Sequence, residues 1–575
     1  MPIGARGWAR RVVVALAVAV TLVMVAVVYW SAPSPQWTGV PLGGLERSMG
    51  ARSSPVGHWL ALAGVVGEVW QVAVMKPESG NLTVLTHAID KGNVNSLCWS
   101  MDGTKIYYDR VTDVPRGIYS VPVLGGEEHL VVEDASGPEA LPDGSLLVAR
   151  LNATRQLQLT RYWPETGHWK TYPLTVSAIS NGVARSFPDG LEVVAFGTAT
   201  GPAAAAGVRL YAIDLESGKL RRLYTGGNED PNNSAVAVAR DGKSVLAAVI
   251  DGNQPRVIGV PRIGHSSTRK LGSLTNTVFS LDVGVEGSIY LDQIERHLDV
   301  LRFSAGGGHA EKIATLLPYQ APGKPWLANE SFAVLPDGRA VIPQGAGGGL
   351  RLTAVEAGKP PVALVATAEE TSAPVTAAGS GEIAFLIGKE PRRTIATASV
   401  SNGRITKRIP FDRGPITALT ASPDGKTLYC AAGGMVWAIA VAGGEARKLR
   451  PGDYLAMDPA GKYLLVQVSE NPIIRLIQVP LDGGAEREVP HTAMLRPAFM
   501  ITPNAISQDG RVLIPMGAST WNWPAGIMDL RTGEVTQIPV DYKTEFHALS
   551  WTPDGKVIAM GLDLRAKLWK FRADQ

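Results

Sequence analysis

The chain has 575 residues, of which 45% are hydrophobic and 19% charged, and its formal net charge is +3. This composition is typical of a folded protein and excludes a disordered chain. So small a net charge gives no reason to expect a nucleic-acid partner. Two cysteines, Cys98 and Cys430, exclude a disulfide scaffold. A chain of this length is expected to fold as more than one unit.

The first predicted element is a transmembrane signal anchor over residues 12–30, an uncharged run that reads VVVALAVAVTLVMVAVVYW. A helix that rises about 1.5 Å per residue would cross the hydrocarbon core of a bilayer with a run of this length. The preceding residues 1–11 include Arg6, Arg10 and Arg11, so we expect them to remain in the cytoplasm. Residues 31–40 then form a tether.

A cleaved signal peptide is the alternative interpretation of the same run, although its apolar core is normally shorter. Either interpretation carries the rest of the chain out of the cytoplasm. We therefore expect a single-pass protein of the bacterial inner membrane, with its folded part facing the periplasm or the cell exterior.

One short phrase recurs along the remainder of the chain. Examples are LPDGS, LPDGR, SPDGK and TPDGK, and the glycine of the phrase or of a degenerate copy returns every 36 to 52 residues, at positions 57, 103, 144, 190, 242, 287, 338, 381, 425, 461, 510 and 555. A period of this size predicts a repeat architecture. Proline, aspartate and glycine in this order favour a tight turn, and the apolar runs on both sides have strand length.

A second glycine-rich turn follows each phrase by roughly half a period, as in VAGGEA and LDGGAE. Each repeat thus predicts four antiparallel strands, which is the content of one β-propeller blade. The aspartates of the turns are expected to cap local backbone amides rather than to bind calcium.

The phrase at residues 422–426, SPDGK, resembles the WD40-like (PD40) repeats of TolB-type β-propellers. Similar repeats occur in the propeller domains of prolyl-oligopeptidase-like and tricorn-like proteases. The resemblance covers residues 41–575 and implies an all-β propeller fold. We expect no counterpart of the TolB N-terminal domain or of a peptidase domain, so the activities of those proteins are not carried over.

Twelve blades are too many for one common ring, so we predict two tandem β-propellers over residues 41–308 and 309–575. A 6+6 division of blades fits best, and 7+5 is the alternative. We expect each ring to be closed by a strand from elsewhere in the chain. Residues 45–49 would complete the blade around Gly287, and residues 309–316 the blade around Gly555.

Motifs that carry chemistry are mostly absent from the sequence. It contains no Gly-x-Ser-x-Gly, no phosphate-binding loop and no clustered histidines, so we predict no catalytic, cofactor-binding or metal-binding residue. Two segments offer candidate binding residues. Exposed aromatic rings could contact a sugar or a partner, and a polar loop could bind a cation; these candidates are Trp521, Trp523, Glu229 and Asp230.

Two functions follow from this interpretation. The first is a membrane-anchored extracytoplasmic scaffold that binds a protein, peptide or glycan partner in the cell envelope. The second is a propeller enzyme, a lyase or hydrolase acting on a carbohydrate or a small ester. An enzyme predicts ionisable side chains that converge in one axial pocket, whereas a scaffold predicts an exposed apolar patch on one face.

Overall fold

The chain is entirely β in its described part. A computed structural model describes residues 37–110, 115–153, 156–176, 184–200, 208–224, 229–230, 235–251, 254–264, 268–316, 331–346, 349–389, 393–470, 473–490, 501–517 and 520–573. These residues form 46 strands and no α-helix. None of them lies in a helix of the length and hydrophobicity that crossing a bilayer requires. The predicted anchor and most of the predicted tether fall outside the described residues.

The first half of the chain begins with β1 (Trp37–Pro41) and continues with five antiparallel sheets, of which the third and fourth are joined by a short pairing of Leu174 with Ala199 and Thr175 with Thr198. Sheet 1 consists of β2 (Ser48–Ser53), β3 (Leu60–Val66), β4 (Val69–Met75) and β5 (Leu82–Val84). Sheet 2 consists of β6 (Val94–Trp99), β7 (Lys105–Arg110), β8 (Gly117–Pro122) and β9 (His129–Glu133). Sheet 3 consists of β10 (Ser136–Ala140), β11 (Leu146–Leu151), β12 (Leu157–Trp163) and β13 (His168–Thr175). Sheet 4 consists of β14 (Arg185–Ser186), β15 (Glu192–Ala199), β16 (Arg209–Asp214) and β17 (Leu220–Arg222). Sheet 5 consists of β18 (Glu229–Asp230), β19 (Val236–Val238), β20 (Ser244–Asp251), β21 (Gln254–Pro261) and β22 (Arg269–Ser273).

Three strands then precede the second series of sheets: β23 (Leu281–Val283), β24 (Ile289–Ser304) and β25 (Glu311–Leu316). Sheet 6 consists of β26 (Ala333–Val334), β27 (Ala340–Ala346), β28 (Gly349–Val355) and β29 (Val362–Ala363). Sheet 7 consists of β30 (Thr371–Ala378), β31 (Glu382–Ile387), β32 (Thr394–Ser399) and β33 (Ile405–Ile409). Sheet 8 consists of β34 (Ile416–Ala421), β35 (Thr427–Ala432), β36 (Met435–Ala440) and β37 (Arg447–Pro451). Sheet 9 consists of β38 (Tyr454–Met457), β39 (Tyr463–Glu470), β40 (Ile473–Pro480) and β41 (Arg487–Glu488). Sheet 10 consists of β42 (Arg511–Pro515), β43 (Ala525–Asp529) and β44 (Val535–Gln537), and the last two strands of the chain are β45 (Glu545–Trp551) and β46 (Lys556–Ala573).

One sheet joins the two halves of the chain, and we call it the shared sheet. Its two central strands, β24 and β46, have 16 and 18 residues and pair antiparallel along the full length of β24, from Ile289 opposite Phe571 to Ser304 opposite Lys556. At one end they complete a four-stranded arrangement in the order β23-β24-β46-β1. At the other end the order is β45-β46-β24-β25.

Apolar clusters join each sheet to the next. Six such clusters involve the described residues of the first half. Four of them link each of sheets 1–5 to the next sheet, the fifth links sheet 5 to the shared sheet, and the sixth links the shared sheet back to sheet 1. The last of these clusters places Leu568 of β46 against Leu60 and Met75 of sheet 1. We call this half of the structure the first sheet group. It consists of sheets 1–5, β1, β23 and the adjoining ends of β24 and β46.

A second circle of contacts has the same form. Six further clusters of described residues link the shared sheet to sheet 6, each sheet to the next as far as sheet 10, and sheet 10 back to the shared sheet. Here Ile558 of β46 packs against Val334 and Ile342 of sheet 6. We call this half of the structure the second sheet group. It consists of sheets 6–10, β25, β45 and the other ends of β24 and β46.

The recurring phrase forms the expected turn between the first two strands of a sheet. In sheet 8 the Gly425 amide donates to the Ser422 carbonyl at 2.8 Å, and Gly425 has a φ of +70°. The Lys426 amide donates to the Asp424 carboxylate at 3.1 Å. The capping role of the aspartates is confirmed at six turns, where the carboxylate accepts from the amide two residues on: Asp102, Asp143, Asp189, Asp241, Asp337 and Asp424.

The turn glycine is also required by the neighbouring sheet. A Cβ placed on Gly190 would lie 3.0 Å from Cγ of Pro142, which belongs to the corresponding turn of the preceding sheet. A Cβ on Gly461 would lie 3.1 Å from Pro423 in the same way. The proline of one turn thus packs on the glycine of the next, so these turns connect successive sheets as well as successive strands.

The strand exchange differs from the expected closure. Residues 45–49 do not form the outer strand around Gly287, because β1 occupies that position and pairs with β46 from Trp37 opposite Ala573 to Pro41 opposite Trp569. The last strand of the chain therefore enters the first sheet group. The other expected closure is confirmed, since β25 pairs with β24 beside β46.

The inter-sheet role of the turn glycine predicts unequal effects of two matched substitutions. A Cβ added to Gly338 (φ +86°) would meet no atom within 4 Å, whereas a Cβ on Gly425 would lie 3.0 Å from backbone atoms of Ala378 and Gly379. Gly338→Ala should cost about 1–2 kcal/mol of backbone strain. Gly425→Ala should cost roughly 1–3 kcal/mol more because it also overpacks the contact. Thermal unfolding of both variants measures the difference, and equal midpoints would contradict the inter-sheet contact.

Candidate functional site

Charged side chains from four different strands meet at the centre of the first sheet group. Nη2 of Arg52 lies 2.7 Å from Oε2 of Glu139, and Nε of Arg52 lies 3.7 Å from Oδ2 of Asp282. Nη1 of Arg185 lies 4.0 Å from Oε2 of Glu139. All four belong to the first strand of their sheet, namely β2, β10, β14 and β23. Two guanidinium groups face two carboxylates, so the cluster is neutral in sum.

Burial dominates the electrostatics of this central cluster. It lowers the pKa of Arg185 to about 10, and the neighbouring charge of Arg52 acts in the same direction. For Arg52 the burial penalty is outweighed by Glu139 and Asp282, which raise its pKa. Burial, followed by the charge of Glu139, raises the pKa of the Cys98 thiol to about 12. Cys98 is therefore protonated at neutral pH and is a poor nucleophile.

Backbone amides further hold the two carboxylates of the cluster. The Ser186 amide donates to Oε1 of Glu139 at 3.0 Å, and the Ser53 amide donates to Oδ2 of Asp282 at 2.6 Å. Each carboxylate therefore binds a strand of another sheet. The cluster ties sheets together, and its charges are engaged in pairs rather than presented to a substrate.

Two buried aspartates repeat this arrangement nearby. Asp109 of β7 accepts from the Gly137 amide of sheet 3 at 2.9 Å, and Asp292 of β24 accepts from the Gly50 amide of sheet 1 at 3.2 Å. Burial raises the pKa of both carboxyl groups, against the opposing effect of these hydrogen bonds. Each of the two aspartates interrupts an otherwise apolar strand, in the segments IYYDR and IYLDQ. A lone carboxylate within an apolar strand is the sequence feature that could have identified them.

The first strands of the second sheet group enclose a small cavity. A cavity of about 10 Å³ lies between residues of several first strands, including Ala418, Tyr454 and Ala548. Close by, Nε2 of the buried His547 lies 3.2 Å from Oε2 of Glu545. A volume of this size is close to that of a single water molecule, so the cavity does not accommodate a larger ligand.

A larger pocket opens at the edge of the first sheet group. In each four-stranded sheet the turns after the first and third strands lie at the same end, which we call the turn end. The pocket measures about 500 Å³ and is lined by five residues from turn ends of sheet 1 and the shared sheet: His58, Trp59, Lys76, Glu78 and Glu286. Its lining combines an aromatic ring with charges of both signs, which suits recognition of a polar ligand.

The carboxylate of Glu286 in this pocket is already paired with a lysine side chain. Nζ of Lys570 lies 2.5 Å from Oε1 of Glu286, and this hydrogen bond lowers the pKa of Glu286. Burial opposes the charge on Lys570, but the bond to Glu286 outweighs it and raises the lysine pKa. His58, Glu78 and Glu286 bring one ligand atom each within 4.8 Å of one another. A divalent ion there would compete with the Lys570 ammonium, so we assign no metal to the group.

The predicted binding residues do not form one site. Trp521 lies between the two sheet groups, where its amide donates to the Glu68 carbonyl at 2.7 Å and the Arg47 guanidinium lies 3.7 Å from its ring centroid. Trp523 is half-buried, and its ring centroid lies 5.0 Å from that of His547. Residues 229 and 230 form the short strand β18, and their side chains lie outside the described part of the structure.

Comparisons with known proteins yield similar folds at low identity. No protein-family model and no curated protein matches the chain. Among solved structures, TolB from Acinetobacter baumannii is 15% identical, covers 54% of this chain and 62% of its own, and has a TM-score of 0.29. The extracellular domain of a hybrid two-component system from B. thetaiotaomicron is 12% identical, covers 94% and 82%, and has a TM-score of 0.31. The tricorn protease is 12% identical, covers 89% and 54%, and has a TM-score of 0.32. The description of the fold therefore depends on the strand pairing above.

The central cluster predicts a large loss of stability from a single amide substitution. Glu139→Gln removes the carboxylate charge that the buried Arg52 and Arg185 share and leaves Arg52 with the more distant Asp282, so it should cost about 3–5 kcal/mol. The matched control is Glu488→Gln, which removes a half-exposed pair with Arg475 and should cost less than about 1 kcal/mol. Thermal unfolding measures both, and equal midpoints would show that the central charges are not coupled.

Proposed function

We propose that the two sheet groups are two closed six-bladed β-propellers, covering residues 41–308 and 309–575 apart from the strands that they exchange. The two circles of six apolar clusters support the 6+6 division over 7+5, because each circle returns to the shared sheet. In this arrangement the shared sheet supplies the sixth blade of both propellers. In this arrangement β1 covers the edge that β46 would expose in the first ring, and β25 covers the edge that β24 would expose in the second. Exposed edges of such long strands would promote aggregation.

We further propose that residues 12–30 anchor both propellers to the bacterial inner membrane, with the propellers on the periplasmic or outer side. The support for this location is the uncharged apolar run and the arginines that precede it.

The function that the geometry supports best is a membrane-anchored scaffold that binds a protein, peptide or glycan partner of the cell envelope. The observation that carries this proposal is the cluster of mutually paired charges on the first strands of the first sheet group. A propeller enzyme would present ionisable groups in an open axial pocket, whereas here Arg52, Glu139 and Arg185 are buried, Asp282 is partly buried, and the four charges pair with each other. Rigid rings with exposed loops favour recognition.

The anchor is tested by alkaline carbonate extraction of cell membranes. The full chain should remain in the membrane pellet. The double substitution Leu22→Arg with Val23→Arg places two charges in the apolar run. Inserting each charge into the bilayer should cost roughly 2.5–3.5 kcal/mol, so the chain should shift to the soluble fraction. Ser31→Arg with Ser34→Arg adds the same charges outside the run and serves as the control. Release of the unsubstituted chain by carbonate would contradict the anchor.

The scaffold is tested with the detergent-solubilised full chain as bait in envelope extract. We expect a partner that co-elutes with the chain at a fixed ratio. A control bait carries residues 1–40 fused to an unrelated soluble domain, so that capture by the anchor alone is recognised. Equal capture by both baits, or turnover of a small substrate without any partner, would reverse the choice between scaffold and enzyme.

A further inference from the structure

Exposed apolar side chains are concentrated at the turn end of the first sheet group. Six of them lie in turns of four sheets and of the shared sheet, and their relative exposures are Val56 53%, Met101 43%, Leu124 98%, Leu191 65%, Ile263 80% and Val285 50%. Each follows the first or the third strand of its sheet, if β18 and β19, which both pair with the same edge of β20, are counted as one strand. They therefore all lie at one end of the group. Large apolar side chains gathered on one exposed surface indicate an interaction site.

The second sheet group lacks such a surface among its described residues. Its exposed large apolar side chain is Val362, which lies on the outer strand β29 rather than in a turn. The two turn ends also point in opposite directions, because β24 leaves the turn end of the first group and reaches that of the second. With 16 residues at about 3.3 Å each, the two ends lie roughly 50 Å apart.

The chain enters the fold at this same apolar end. Trp37, the first described residue, pairs with Ala573 at the end of β46, beside the turn that carries Glu286. Residues 31–36 alone separate Trp37 from the apolar run that ends at Trp30. At about 3.5 Å per residue this segment reaches no more than roughly 25 Å. An anchored chain must therefore hold the apolar turn end close to the bilayer.

The charges on this end are suited to a lipid surface. Three of its turn carboxylates are paired with cations: Asp189 lies 2.6 Å from Arg262, Asp143 lies 2.6 Å from Arg161, and Glu286 is bound to Lys570. Asp102 and Asp241 of two other turns accept from backbone amides instead. Pairing reduces both the repulsion from anionic lipids and the cost of leaving water. The pocket at this end also contains Trp59 and Lys76, residue types that favour the interface between lipid and water.

We propose that the turn end of the first sheet group docks on the surface of the bilayer that holds the anchor. This inference rests on the proposed anchor at residues 12–30. Docking inserts the tips of Leu124 and Ile263 among the lipid headgroups and turns the pocket toward them. The turn end of the second sheet group then faces away from the membrane, where an envelope partner can reach it.

The test measures the depth of single fluorescent labels in the full chain reconstituted into phosphatidylcholine vesicles. Leu124→Cys and Ile263→Cys place an NBD label on the docking end, and Val362→Cys places it on an equally apolar position of the second group. The native Cys98 and Cys430 are buried, and burial raises the pKa of each thiol to about 12, so the introduced thiol reacts selectively. Thermal unfolding confirms that each variant folds.

We expect a blue shift of NBD emission at positions 124 and 263, and loss of their fluorescence when the vesicles contain headgroup-labelled TEMPO lipid. The label at position 362 should show neither change. If the chain floats with the vesicles but all three labels behave alike, docking is wrong while the anchor stands. If the chain does not float with the vesicles, the anchor is wrong and docking falls with it.

Discussion

The pairing of β24 with β46 is the constraint on which the rest of the fold depends. These strands are the inner pair of the shared sheet, and each serves the first sheet group at one end and the second at the other. Because β46 lies near the end of the sequence, the first group is complete only when the last strand has been added. The two groups are therefore expected to stabilise each other, unlike domains joined by a flexible linker.

The same pairing determines how the ends of the two sheet groups are placed along the shared strands. A continuous pair of strands orients the two turn ends in opposite directions, and β1 brings the entry of the chain to the apolar one. The facing ends meet through contacts such as the bond from the Trp521 amide to Glu68. Inside the first group, Arg52 of β2 pairs with Glu139 of β10 and so joins sheet 1 to sheet 3.

The sequence predicted the repeat well because a turn-forming phrase with glycine returns at a regular spacing, and five of its twelve copies keep proline, aspartate and glycine together. The strand exchange was not predicted, because each half of β24 or β46 reads as an ordinary strand. Its trace is the run Glu295-Arg296-His297, charged and partly exposed residues in the middle of a strand buried at both ends. The central charges were missed for another reason: Arg52, Glu139 and Asp282 are far apart in sequence, and the circular arrangement of sheets alone brings them together.

The most direct test of the shared sheet is peptide-resolved hydrogen exchange on two substitutions within β46. Leu568→Ala removes a buried side chain from the cluster with sheet 1, and Ile558→Ala removes one from the cluster with sheet 6. Each should cost about 2–5 kcal/mol locally. The account predicts faster exchange at residues 48–75 in the first variant and at residues 332–355 in the second. Faster exchange in the same sheet group for both variants would contradict a strand shared between the two.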